Sequence, residues 1–139
     1  MRFMTLVKSA ENSGPPPPEL MEAIAKLSED ASKGGTMLEA GGLAPTAMSN
    51  RVRLSKGKIT VIDGPFVETK EVIGGYAVFE VNSKQEMIDA TVKFMELHRE
   101  HWPGWEGETE IRQLFGPDDY TPCVGSERGV RPLSQSSDS

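Results

Sequence analysis

At 139 residues, 37% of them hydrophobic, the chain has room for one domain with one core. A formal net charge of −6, with Lys and Arg scattered along the sequence, argues against a nucleic-acid backbone or an anionic membrane surface as partner. The single cysteine, Cys123, excludes an intramolecular disulfide.

No apolar run reaches the length of a membrane span, and charge returns at Lys8 too soon for a signal segment. A soluble cytoplasmic protein is the expectation. Phe3–Lys8 is short, apolar and partly β-branched, which predicts a first, central strand. Ser9–Pro18 reads as a loop stiffened by the proline run Pro15–Pro18, with Pro18 suited to the first turn of a helix. Leu20, Ile24, Leu27 and Ala31 recur at helical spacing, and Lys33-Gly34-Gly35 supplies the stop. Thr36–Leu43 predicts a second strand, with Gly41-Gly42 marking a bulge or a close approach. Arg51–Ser55 and Lys58–Ile62 alternate polar with apolar around Lys56-Gly57, the pattern of a hairpin. Gly75–Val81 predicts a long apolar strand. Ser83 with Glu86 forms a capping box ahead of a helix whose buried stripe is Met87, Ala90, Thr91, Phe94 and Met95. Trp102-Pro103-Gly104-Trp105 ends that helix, and Thr109–Phe115 alternates as a last strand. Residues 116–139 lack periodicity, which predicts an extension draped over the domain of residues 1–115 and partly disordered.

With the hairpin set aside, the order is βαββαβ. That is an α+β, ferredoxin-like fold: one antiparallel sheet with both helices on one face and a hairpin inserted. Gly75–Val81 carries hydrophobes on both of its faces, Tyr76 and Val78 against Ala77, Phe79 and Val81. One helical layer covers only one of those faces. A second copy of the same sheet is the simplest cover for the other, so a homodimer with sheets face to face is expected.

The segment between hairpin and long strand carries the densest chemistry. Asp63, Glu68, Lys70 and Glu71 crowd a Gly64-Pro65 turn, more charge than a reversal of direction needs. Asp63 is either a general base at a sheet edge or the head of an Asx-turn. Lys70 either neutralises Glu68 and Glu71 or binds an anionic substrate. Arg53 and Arg112 alternate with apolar neighbours and suit either a carboxylate clamp or ion pairs with Asp63 or Glu68. Phe66 and Tyr76 are packing residues or, for Tyr76, a hydroxyl donor to a ligand. His98-x-x-His101 puts both imidazoles on one helix face but lacks a third metal ligand, so no metal is expected. There is no Gly-rich phosphate loop, Gly-x-Ser-x-Gly elbow or Cys-x-x-Cys pair.

Asp63-Gly64-Pro65-Phe66, followed by Glu68-x-Lys70-Glu71 and Gly75-Tyr76, resembles the signature of the DGPF-domain proteins within the YCII-related family. Arg2-Phe3-Met4, Gly41-Gly42-Leu43, Val52-Arg53 and Glu110-Ile111-Arg112 carry the resemblance across residues 1–115. It implies a dimeric α+β barrel and brings no settled activity. The wider superfamily includes small-molecule lyases, isomerases and monooxygenases; related YCII proteins are linked to dehydrochlorination. Bacterial relatives occur beside sigma factors of the extracytoplasmic-function type. The chain departs from the family between Leu97 and Glu108, where relatives carry a short, proline-containing polar loop and this one has His98, His101, Trp102 and Trp105.

The resulting expectation is cofactor-independent acid–base chemistry on a small anionic or carboxylate molecule, in a cavity under the Asp63 loop. Asp63 is the base; Lys70 and Arg53 stabilise charge; Glu68 and Glu71 tune the base. Gly64, Pro65, Phe66, Tyr76 and Arg112 complete the contacts. The alternative is a non-catalytic ligand-sensing or regulatory module, tied through the resemblance to sigma-factor control.

Overall fold

The computed structural model describes residues 1–66 and 71–116, with the backbone of 120–122 and 130–132. The apolar, partly β-branched opening becomes strand β1 (Arg2–Ser9), and the proline run leads into helix α1 (Pro18–Lys33). Strand β2 is Met37–Gly42; β3 (Asn50–Ser55) and β4 (Lys58–Asp63) form the hairpin; β5 is Val72–Glu80. Helix α2 (Lys84–His101) and β6 (Gly107–Gln113) follow. Short strands β7 (Tyr120–Pro122) and β8 (Val130–Pro132) pair with each other in the extension, where the sequence carries no strand signal. Residues 117–119, 123–129 and 133–139 lie outside the described residues.

The local signals act as their chemistry dictates. Ser83 Oγ accepts the Glu86 N–H at 3.1 Å, and the Glu86 carboxylate accepts the N–H of Asn82 at 3.0 Å. Lys56 and Gly57 both take positive φ, 52° and 78°, as a tight hairpin turn requires.

The main sheet is antiparallel in the order β2-β5-β1-β6, the ferredoxin-like arrangement. Register fixes the two faces. Phe3 opposes Phe79 and Gln113, and Thr5 opposes Ala77 and Ile111, so odd-numbered residues of β1 and β6, and of β5 from Gly75 onward, share a face. Phe3 and Val81 pack there with Met87 of α2, joined by Phe79, Ala90 and Ile111. Leu20 of α1 is fully buried. Each such side chain contributes roughly 1.5–3 kcal/mol by leaving water.

The other face shows Met4, Leu6, Tyr76 and Val78, all half-buried, within a charged rim of Lys8, Glu39, Glu80, Glu110 and Arg112. The β3–β4 hairpin forms its own two-stranded ladder. Its pairs Val52–Val61 and Leu54–Ile59 share one face, and all four side chains are about 70% exposed. Two boundaries differ from expectation. Strand β5 starts at Val72 because it follows β1 to Ser9, with a bulge that leaves Gly74 unpaired. Strand β6 runs Gly107–Gln113 because Lys8 and Ser9 recruit Glu108 and Gly107 as partners.

Candidate functional site

The Asp63 turn is clamped to the segment before β3. Gly64 N–H donates to Ser49 O at 2.8 Å, and the Asp63 carboxylate accepts a hydrogen bond from Asn50 Nδ2. A Cβ on Gly64 would lie 1.6 Å from the carbonyl oxygen of Thr46, so only glycine fits the approach. The Arg51 guanidinium stacks 3.8 Å from the centroid of Phe66. Thr46 in turn holds Glu11 through its N–H (2.5 Å) and hydroxyl (2.6 Å). Those two bonds hold the Glu11 carboxyl below its usual pKa. The turn therefore fastens the β1–α1 loop to the approach to β3.

A broad apolar hollow lies elsewhere. A cavity of about 930 Å³ opens between the helices and the odd-numbered face of the sheet. Thr5, Val7, Ala77 and Phe79 line its floor, Leu20, Ile24 and Leu27 one wall, and Ala90, Thr91 and Phe94 the other. It exists because small residues meet: Gly42 and Gly75 pair across β2 and β5, beside Ala77 and opposite Ala90. Glu11 and Pro45, the neighbours of the clamped turn, belong to the lining; Asp63, Gly64, Pro65, Phe66, Arg53 and Arg112 do not. The hairpin forms its own two-stranded ladder apart from the main sheet, and none of its turn residues Asp63–Phe66 lines this hollow.

One end of the cavity is aromatic. His98 is 6% exposed, its ring centroid 4.7 Å from that of Phe94 and 4.6 Å from that of Trp105. Trp105 stacks on Trp102 at 5.7 Å. Trp102 N–H closes α2 on His98 O at 2.8 Å, and Trp105 N–H returns to Trp102 O at 3.1 Å. Gly107 admits the Trp105 ring, since a Cβ there would meet the indole at 2.5 Å. Both tryptophans of the chain line this end.

On the opposite face of the sheet, Lys8 Nζ lies 2.5 Å from Glu110 Oε1, and Arg112 Nη1 donates to Glu110 Oε2 at 3.0 Å. The Lys8 hydrogen bond, then that of Arg112, hold the Glu110 carboxyl below its usual range, and Glu110 raises the Lys8 ammonium. Tyr76 donates its hydroxyl to Glu39, which pushes the phenol upward. Tyr76 contributes to the cavity lining, but strand alternation turns its side chain to this other face.

The expected residues therefore separate. Asp63, Gly64, Pro65 and Phe66 stay together with Asn50 and Arg51; Arg53 is exposed on β3 opposite Thr60. Glu71 is exposed just before β5, and Arg112 pairs with Glu110 instead of with Asp63. Glu68 and Lys70 lie outside the described residues. No group of three or more His, Asp, Glu or Cys suited to a metal gathers among the described residues. His98, one half of the His98-x-x-His101 pair, is buried. It continues the stripe Met87, Thr91, Phe94 by four residues, and that extension was the readable signal.

A curated relative, the uncharacterized protein R00369 of Rhizobium meliloti (strain 1021), is 33% identical over 69 residues, 50% of this chain and 53% of that protein. The chain thus spans about half the length of the curated relative it matches. The family model of the YCII-related domain matches residues 1–94, from β1 well into α2, taking in the clamped Asp63 turn. By that match over most of its length, this chain belongs to the YCII-related family.

Proposed function

We propose that the protein is a homodimer whose subunits each hold a small, mostly apolar molecule in the hollow between sheet and helices. The observation that carries this reading is the cavity itself. It has the size and apolar lining, with few convergent polar groups, of a small-molecule site. The charged lining residues are Glu11, Asp30 and Lys93, so a neutral ligand suits it better than a carboxylate. The dimer rests on two apolar surfaces, the half-buried Met4–Leu6–Tyr76–Val78 face and the exposed Val52–Leu54–Ile59–Val61 face of the hairpin. Both suit a self-complementary, two-fold contact.

A second reading keeps acid–base chemistry at the turn. One oxygen of the exposed Asp63 carboxylate is steered by Asn50, and the other makes no contact among the described residues. A base positioned in this way, with Glu68, Lys70 and Arg53 near in sequence, would act in a crevice closed by the second subunit. Non-catalytic sensing, including sensing in a transcription circuit, uses the same hollow without Asp63.

Filling the hollow tests the first reading. Gly42 faces it, and a Cβ there finds nothing nearer than Gly74 O at 4.0 Å. Gly42→Val should therefore fold as well as wild type while losing the rise in melting temperature that a ligand gives by binding only the native state. An undiminished rise in the variant removes the hollow as the site.

A further inference from the structure

We infer that His98 is the polar anchor of the hollow, a hydrogen-bond acceptor for the hydroxyl of a phenol-class ring held against Trp102 and Trp105. The inference deepens the ligand-binding reading above and rests on it. His98 Nδ1 lies 3.0 Å from the carbonyl oxygen of Phe94. A carbonyl only accepts, so Nδ1 carries the ring proton, and in the neutral imidazole Nε2 is left as an acceptor. Among the described residues Nε2 has no hydrogen-bond partner, yet none of their buried side-chain nitrogens or oxygens lacks one. Nε2 is therefore the part of this 94%-buried side chain that reaches open space, and the space His98 lines is the hollow.

The surroundings select what donates to it. Phe94, Trp102 and Trp105 offer aromatic surface at the same end, which favours a planar ring by stacking. The Nε2 lone pair calls for a hydrogen-bond donor, so a phenol fits better than its ether. Thr91 and Thr109 are hydroxyl-bearing residues of the same lining. Thr91 donates its hydroxyl to Met87 O and Thr109 donates its own to Met95 Sδ. Their oxygens can still accept, but only His98 has its acceptor direction fixed, by the bond of the other ring nitrogen to Phe94 O.

The probe is 4-propylphenol against its methyl ether, 4-propylanisole, read by calorimetry and by tryptophan emission, since both tryptophans flank His98. Wild-type protein should prefer the phenol by about tenfold, the worth of one hydrogen bond that the ether cannot donate. His98→Phe, which keeps the aromatic packing, should bring the two affinities together. A second readout needs no variant: on adding the phenol, the His98 Nε2 resonance in ¹⁵N spectra should shift as it gains a donor. Equal binding of phenol and ether by wild type, a preference that survives His98→Phe, or an unmoved Nε2 resonance overturns the role of His98 and leaves the hollow intact. Failure of both compounds to bind overturns the hollow as well.

Discussion

Gly64→Ala is the most demanding perturbation of the turn. The added Cβ falls 1.6 Å from Thr46 O and 2.7 Å from its carbonyl carbon, both backbone atoms that no rotamer change can move. The turn must back away, and with it go the Gly64–Ser49 hydrogen bond and the alignment of Asp63 with Asn50. Overpacking of this kind costs about 1–3 kcal/mol, and one lost hydrogen bond adds about 1, for a total of roughly 2–4 kcal/mol. For a domain of this size that corresponds to a fall of roughly 8–15 °C in melting temperature, limited by how readily the hairpin opens locally. Scanning calorimetry with amide exchange at Gly64 is the assay. Gly74→Ala is the control, because a Cβ there meets nothing within 4 Å. A Gly64→Ala protein that melts with wild type and keeps Gly64 protected would refute the clamp.

Two further outcomes follow from the same geometry. Glu110 has its pKa lowered in the folded state, chiefly by Lys8, so its contribution is present above the ordinary value of 4.5 and is lost as pH falls through the depressed folded value. Glu110→Gln should therefore flatten the acid limb of the stability profile below about pH 4.5 relative to wild type, measured by urea midpoint against pH; parallel profiles would contradict the assignment. Val61→Asp puts a charge into the exposed apolar face of the hairpin, where Val61 is 68% exposed and costs the single chain little. Sedimentation should then show a dimer for wild type and a shift towards monomer for the variant, while identical masses would remove the hairpin from the interface.

Local patterns were legible because they are local. The Leu20, Ile24, Leu27 spacing made α1, Ser83 with Glu86 started α2, and Lys56-Gly57 turned the hairpin. The fold class followed from the element order βαββαβ. What escaped depends on partners distant in sequence. The frame of β6 is set by Lys8 and Ser9 of β1, not by its own alternation. The density of charge at Asp63 was visible, but not that Thr46 and Ser49 would pin the turn outside the hollow. The hollow itself arises from Gly42, Gly75, Ala77 and Ala90 meeting across three elements, and no window of sequence contains them all. His98 lay between these cases: its place on the stripe was readable, whereas the engagement of Nδ1 with Phe94 O was not.

Amide chemical-shift mapping with 4-propylphenol tests the central claim most directly, because the hollow and the Asp63 turn are separate sets of residues. The account predicts shifts concentrated at Thr5, Ala77, Thr91, His98 and Trp105. Shifts gathered instead at Asn50, Asp63 and Gly64, or none at saturating ligand, would contradict it.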